Sequence, residues 1–182
     1  GCKRIANVDI FKSSKPYTER LMKTVNEVVH LVIRDENDIV YIDKVEADNT
    51  IRMASTIGRR SPLYRTSVGK VILAYLPDKE IESVWENSKI EKMTEYTITD
   101  LEVFKRNLKE VEEKGYAVDN EENELGVRCI GAPVFNHTGS VEGAISVSGP
   151  TIRVTRDRIE EIANEVKKYA HLISNELGYR GD

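Results

Sequence analysis

Residues 119–135, DNEENELGVRCIGAPVF, carry side chains that could bind a ligand or do catalysis. Carboxylates and amides lead through Gly126 into an apolar segment that contains Cys129. The pattern admits a metal or catalytic site, the rim of a ligand pocket, or a solvated loop that enters a core strand. A free cysteine is most often a small buried hydrophobic residue, so the last interpretation is the commonest one.

Catalysis or metal binding at Cys129 would need partners at suitable positions. A nucleophilic thiol requires a nearby base, usually histidine. The chain has three histidines, which fall in three different predicted elements: His30, His137 and His171. A metal site built from Asp119, Glu121, Cys129 and His137 would follow no recognised ligand spacing. The sequence therefore predicts no catalytic residue, no metal and no cofactor, and the chain is not expected to be an enzyme.

The segment TSVGK at residues 66–70 invites comparison with a phosphate-binding loop. That motif needs a glycine where Tyr64 stands, five residues before Gly69, and a serine or threonine where Val71 stands. The comparison fails. A helix start remains, whose free N–H groups and dipole could favour an anion, although an ordinary N-cap at Thr66 or Ser67 is far more common.

The segment VEGAISVSG at residues 141–149 predicts a strand with two different faces. Alternation places Ala144, Ser146 and Ser148 on one side and Ile145 and Val147 on the other. Two hydroxyl groups on one face form either a solvated surface, which is the commoner case, or the polar wall of a pocket.

Composition limits the class of protein. The 182 residues are 40% hydrophobic and 32% charged, which suits one globular domain with a core. The net charge of −4 argues against binding to a nucleic-acid backbone. No apolar run approaches the roughly 18 residues that a spanning helix needs. The two cysteines are far apart in sequence and imply no disulfide framework, so a cytoplasmic location is expected.

The elements that must position these residues follow from periodicity and turn signals. Helices are predicted at 17–27, 66–76, 78–86, 101–115 and 155–178, with Thr18 near the first cap and Gly115 as a C-cap. Strands are predicted at 28–34, 38–46, 116–120, 127–135 and 141–149, and a further one at 51–55. Pro133 predicts an edge or a bulge. Tight turns join neighbouring strands, so the fold is α+β with a mainly antiparallel sheet.

Three segments together resemble a known family. They are NEVVHLVIRDENDIVYIDKVE, RMASTIGRRSPLYRTSVGKVILAYLP and GYAVDNEENELGVRCIGAPVFNHTGSVEGAISVSGP. In this order and spacing, from about residue 17 to residue 178, they resemble the C-terminal effector-binding domain of IclR-type transcriptional regulators. The resemblance implies a GAF-like α+β fold, in which a twisted antiparallel sheet flanked by helices encloses a pocket for a small molecule.

The resemblance also implies which residues bind the effector and how the chain is organised. The implied effector-binding residues are Ser67, Val68, Gly69, Asp119, Cys129, Ser146 and Ser148, with the glutamate-rich turn after Asp119 as a solvated rim. Implied effectors are small organic acids such as glyoxylate, pyruvate, 2-keto-3-deoxygluconate or aromatic acids. Residues 1–16 correspond to the remnant of a linker helix and residues 17–182 to the effector-binding domain. The chain is expected to form homodimers or homotetramers, with DNA bound only through an N-terminal winged helix-turn-helix domain.

Two other functions remain open at this point. A GAF-like fold could support thiol redox chemistry of the free methionine sulfoxide reductase type, which needs a second, resolving cysteine, and the only other cysteine is Cys2. Alternatively, the chain could be a dimerisation module that binds no ligand.

Overall fold

The helices and strands are defined in a computed structural model that describes residues 2–49 and 54–181. In chain order they are α1 (Cys2–Val25), β1 (Val28–Asp35), β2 (Asp38–Val45), β3 (Arg60–Pro62), α2 (Ser67–Ala74), α3 (Asp78–Glu86), α4 (Leu101–Lys114), β4 (Ala117–Asn120), β5 (Val127–Phe135), β6 (Val141–Pro150) and α5 (Ile159–Glu176). A short 3-10 turn, Arg156–Arg158, precedes α5.

The strands form one antiparallel sheet in the order β3-β2-β1-β6-β5-β4. Two tight hairpins, β1–β2 and β5–β6, are joined side by side through the pairing of β1 with β6. The predicted α+β class with an antiparallel sheet flanked by helices is therefore confirmed. Pro133 lies beyond the segment of β5 that pairs with β4, so the strand edge predicted for it is confirmed as well.

Helices cover both faces of the sheet, because each strand of the centre is apolar on both sides. One core lies under α1 and α5, and the other lies under α2, α3 and α4. Ile145 and Val147 of β6 belong to the first core, whereas Ala144 faces the second. The alternation predicted for this strand is thus confirmed, and Ser146 and Ser148 share the face of Ala144.

The first helix differs from its prediction. It begins at Cys2 rather than near Thr18, and it passes through Pro16 without a break at the expected boundary after residue 16. An internal proline costs a helix about 3 kcal/mol. Burial of Ile10 and Leu21 in the core under α5 offsets that cost, because both side chains are fully buried. Thr18 is not a cap: its Oγ1 donates to the carbonyl of Lys15.

Other boundaries follow the sequence more closely. Thr66 is the N-cap of α2, and Gly115 ends α4 in the left-handed conformation that a Schellman-type end requires. Strand β3 was not predicted, since three residues are too few to show a period. Residues 51–53 of the further strand predicted at 51–55 lie outside the described residues, and residues 54 and 55 are not in a strand.

A buried ion pair ties α2 to the connection between β4 and β5. The Nζ atom of Lys70 lies 2.6 Å from Oε1 of Glu122 and 3.2 Å from the carbonyl oxygen of Val118. The other carboxylate oxygen of Glu122 accepts the N–H of Asn120 at 2.9 Å. The side chains of Lys70 and Glu122 are 1% and 9% exposed, so each charge depends on the other for compensation. The prediction of a wholly solvated glutamate-rich turn is therefore wrong at Glu122.

Removing one partner of this pair should destabilise the fold strongly. We expect Lys70→Met to lower the free energy of unfolding by roughly 3–5 kcal/mol, because the Glu122 carboxylate stays buried without compensation. The double variant Lys70→Met with Glu122→Gln should be more stable than the single one, since no charge remains and glutamine still accepts the N–H of Asn120. Urea unfolding measures the free energy of unfolding of both variants.

The surface pair of Lys105 with Glu82 provides the matched control. Lys105→Met should cost no more than about 1 kcal/mol, because solvent replaces the lost partner. A double variant no more stable than Lys70→Met alone would contradict the role of the pair.

Candidate functional site

Cross-strand pairing gathers the polar side chains of three strands into one row. Asp119 of β4 is the register partner of Cys129 on β5, and Cys129 is the partner of Ser148 on β6. Neighbouring strands lie about 4.8 Å apart and direct partners share a face. The carboxyl, thiol and hydroxyl groups therefore stand side by side.

A second row, two residues along the strands, brings α2 onto this face. It consists of Gly131, Ser146 and His30. A Cβ atom at Gly131 would lie 3.1 Å from the carbonyl carbon of Ser67 and 3.2 Å from the backbone nitrogen of Val68. Because glycine has no side chain, the first turn of α2 can approach the sheet at this position. A glycine inside a strand often marks such a close approach, but the sequence alone does not show which element approaches.

The two rows and the helix start enclose a cavity of about 120 Å³. Its lining includes six of the seven residues named from the resemblance: Ser67, Val68, Asp119, Cys129, Ser146 and Ser148. These residues come from three distant segments of the sequence. The arrangement provides hydroxyl groups, a thiol, a carboxyl group and the N–H groups of a helix start around one small volume.

Gly69, the seventh residue, lies behind the cavity wall. A Cβ atom there would come within 2.0 Å of the carbonyl oxygen of Leu63, so the position requires glycine for close packing. Its N–H group already donates to Oγ1 of Thr66 at 3.0 Å. The N–H groups of Ser67 and Val68, in the first turn, have no acceptor within the helix and are the ones a ligand could use.

Sequence reasoning missed the residues on the other side of the cavity. They come from β1, β2, the segment before β3 and β3 itself: His30, Tyr41, Ala54, Ser55, Arg59 and Ser61. Arg59 is the one arginine or lysine among the described residues that line the cavity, and it is exposed. No local pattern reveals this wall, because it forms only when β1 pairs with β6 across more than a hundred residues.

Asp119 is a buried carboxyl group with a perturbed proton affinity. Burial raises its pKa to about 7, and the negative charge of Glu122 adds to the effect. The N–H of Glu122 donates to Oδ1 of Asp119 at 2.8 Å, which together with the charge of Lys70 holds the pKa lower than burial alone would. Asp119 therefore changes its charge near neutral pH.

The thiol and the imidazole of the cavity are neutral. Burial, and next the charge of Asp119, raise the pKa of Cys129 well above its ordinary value, so little reactive thiolate exists at neutral pH. Burial, and next the positive charge of Lys44, lower the pKa of His30 to about 4. Neither group can be the charged member of a thiolate–imidazolium pair at neutral pH.

The remaining candidates for metal binding are not brought together. His137 lies in the turn between β5 and β6, at the far end of β5 from Cys129. His171 lies on α5, against Tyr179. Within residues 2–49 and 54–181, no group of three histidine, cysteine, aspartate or glutamate side chains is placed to hold a metal ion.

A larger cavity of about 490 Å³ lies against the buried ion pair. Its lining includes Lys70, Glu122, Asn107 and Tyr116, and none of the residues named from the resemblance. The smaller cavity is the one in which the chemically distinctive side chains converge.

Comparison with known proteins gives a consistent result. Residues 2–175 match the family described as bacterial transcriptional regulator IclR C-terminal. The chain is 40% identical over 179 residues to the HTH-type transcriptional regulator KdgR of Escherichia coli, covering 98% of this chain and 68% of that protein. The KdgR of Dickeya chrysanthemi is 38% identical over 179 residues, also 98% of this chain but only 59% of the relative. The chain thus spans about two thirds of these relatives.

Solved structures share the fold. The crystal structure of Thermotoga maritima IclR is 40% identical and superposes with a TM-score of 0.89, covering 93% of this chain and 69% of that one. The inducer-binding domain of PobR from Acinetobacter, a double mutant in complex with 3-hydroxybenzoic acid, is 28% identical and superposes with a TM-score of 0.83. The match covers 90% of this chain and 97% of the PobR chain. Among the described helices, none combines the length and apolar character needed to cross a bilayer.

Replacing Asp119 tests its raised pKa. A folded-state pKa above the unfolded value means that wild-type stability falls as the pH rises through the window between about 4 and 7. Asp119→Asn keeps an acceptor for the N–H of Glu122 but carries no charge. We expect the stability of this variant relative to wild type to increase by roughly 2–3 kcal/mol between pH 5 and pH 8 in urea unfolding.

Glu124→Gln is the control, because Glu124 lines the same cavity but is exposed. Its stability relative to wild type should stay nearly constant over the same range. A pH-independent difference for Asp119→Asn would show that the carboxyl group is charged at all these pH values.

Proposed function

This chain belongs to the IclR family of bacterial transcriptional regulators and corresponds to their C-terminal domain, and we propose that it binds a small organic acid as effector in the cavity between α2 and the sheet. The observation that carries the proposal is the convergence of Ser67, Val68, Asp119, Cys129, Ser146 and Ser148 on one volume. A ligand pocket explains this convergence, whereas a solvated sheet face does not, since Ser146 and Ser148 are each only 3% exposed.

The polarity of the lining favours an anionic ligand. The first turn of α2 presents the N–H groups of Ser67 and Val68 and the positive end of the helix dipole. The hydroxyl groups of Ser146 and Ser148 can donate to an oxygen, and Arg59 supplies a positive charge at the same cavity. A carboxylate meets donors on both walls in this arrangement.

The volume favours a compact effector. A cavity of about 120 Å³ suits a keto acid or a short sugar-derived acid better than a large molecule. The ligand of the PobR inducer-binding domain, 3-hydroxybenzoic acid, is also a small carboxylic acid. Asp119 in its protonated form could donate to a keto or hydroxyl oxygen, whereas the ionised form would repel a carboxylate. Binding of the acid is therefore coupled to proton uptake.

In the whole protein, an N-terminal winged helix-turn-helix domain would bind DNA, and effector binding here would change the affinity for the operator. This arrangement agrees with the net charge of −4, which gives this part of the protein no basic surplus for a phosphate backbone. The regulator would act in the cytoplasm, where metabolites of this class are found.

The thiol redox alternative has weaker support. Cys129 contacts Ser148, and its raised pKa disfavours the thiolate that attacks a sulfoxide or a disulfide. The side chain of Cys2 lies outside the described residues. Cys129→Ser separates the two functions: a reductase should turn over methionine sulfoxide and lose that turnover in the variant, whereas a sensor should show no turnover in either protein.

The two serines of β6 provide the main test of the cavity. A thermal-shift screen of glyoxylate, pyruvate, 2-keto-3-deoxygluconate and 3-hydroxybenzoate identifies a ligand, and calorimetry then measures its dissociation constant. The double variant Ser146→Ala with Ser148→Ala should weaken binding by about 1–3 kcal/mol, or roughly ten- to a hundredfold, because each lost hydrogen bond contributes about 0.5–1.5 kcal/mol.

The control is Ser140→Ala, which removes an exposed hydroxyl from the turn before β6. It should leave the dissociation constant unchanged. If the double variant binds the acid as tightly as wild type, the effector binds elsewhere and the proposed site is wrong.

Self-association is the second expectation for this domain. Regulators that read paired half-sites must hold two DNA-binding domains in a fixed relation. We expect dimers or tetramers of this chain at high micromolar concentration in light scattering with size-exclusion chromatography. A monomer under these conditions would assign assembly to other parts of the protein.

A further inference from the structure

The imidazole of His30 lies between two serine hydroxyl groups at the wall of the cavity. Its Nε2 atom is 2.5 Å from Oγ of Ser55, and its Nδ1 atom is 3.4 Å from Oγ of Ser148. The ring of Tyr41 contacts the imidazole edge-on, with ring centroids 5.0 Å apart. All four residues line the cavity, so hydrogen bonds connect the segment before β3 to a proposed ligand-binding serine.

The distances indicate which ring nitrogen carries the proton. His30 is neutral because burial lowers its pKa to about 4, so one nitrogen is a donor and the other an acceptor. The 2.5 Å contact at Nε2 is shorter than the usual range of N–H donors, about 2.7–3.2 Å, whereas the contact at Nδ1 is a long one of 3.4 Å, so a hydroxyl donor fits the Nε2 contact better than an N–H donor does. The Ser55 hydroxyl therefore donates to Nε2, and the ring proton is on Nδ1.

This tautomer decides how Ser148 is presented to a ligand. The N–H at Nδ1 donates to Oγ of Ser148, so the hydroxyl proton of Ser148 must point to another acceptor. When no ligand is bound, that acceptor is the sulfur of Cys129, which contacts Ser148 and is a weak acceptor. A carboxylate or keto oxygen in the cavity is a stronger one.

We propose that His30 is a positioning residue for effector recognition: Ser55 holds its imidazole with the proton on Nδ1, and this proton directs the Ser148 hydroxyl to donate into the cavity. The site therefore selects a ligand with an acceptor oxygen next to Ser148. The inference deepens the proposed effector-binding function and rests on it for the identity of the cavity as the effector site.

The tautomer can be measured without a ligand. Nitrogen-15 NMR of protein labelled in histidine distinguishes protonated from unprotonated ring nitrogens, and His30→Asn identifies the signals of His30 against those of His137 and His171. We expect a protonated Nδ1 and an unprotonated Nε2 at pH 7, both alone and with saturating pyruvate. A protonated Nε2 in the ligand-free protein would overturn the inference.

A matched pair of variants tests the consequence for binding. In His30→Asn the side-chain amide nitrogen would take the place of Nδ1, and in His30→Gln the amide nitrogen of the longer side chain would take the place of Nε2. With pyruvate as the probe in calorimetry, His30→Gln should weaken binding about three- to tenfold, and His30→Asn should stay within about twofold of wild type. Adding His30→Gln to Ser148→Ala should cause no further loss, since His30 acts through Ser148.

The outcomes separate this inference from the proposed function. Equal losses in the two His30 variants, or a full additional loss in the double variant, would overturn the positioning role while pyruvate binding stands. If wild type does not bind pyruvate, the proposed function fails for that compound. The inference about His30 is then tested by the tautomer measured in the ligand-free protein, and a protonated Nε2 overturns it. Melting temperatures of the variants exclude a loss caused by unfolding.

Discussion

The buried pair of Lys70 and Glu122 is the interaction on which the geometry of the cavity depends. It is the one ion pair in the described part of the chain with both side chains almost completely buried. Lys70 belongs to α2, whose first turn forms one wall, and Glu122 belongs to the connection that begins at Asp119, which forms another. Because two desolvated charges must stay together, the helix start and the carboxyl group keep a fixed separation.

Local patterns in the sequence predicted much of the fold. The alternation in β6, the Thr66 cap and the Gly115 terminus each depend on a few consecutive residues, and the structure has all three. The course of α1 through Pro16 could not be predicted in this way, because it depends on burial of Ile10 and Leu21 against α5, more than 130 residues away in the sequence. Tertiary packing overrides a local helix breaker there.

The candidate site could be predicted only in part, because local patterns do not show which distant residues come into contact. Period-two alternation placed Ser146 and Ser148 on one face, but only the register of β5 with β6 brings Cys129 beside Ser148, and sequence does not give that register. The resemblance supplied the residues that alternation could not, together with Gly69, which serves packing. It did not supply His30 or Arg59, and Glu122 looked like surface because its partner Lys70 is 52 residues away.

The buried wall of the cavity carries no fixed negative charge beside its donors, and Glu124 lies at the exposed rim, so the buried part of the cavity is suitable for a weak acid. Burial suppresses the charges of Cys129 and His30 and raises the pKa of Asp119 to about 7. An entering carboxylate would therefore meet dipoles and Arg59 rather than two or three anions, and it would favour the protonated form of Asp119 further. Desolvation, which is usually a cost of burying polar groups, here adjusts the wall to the charge of the ligand.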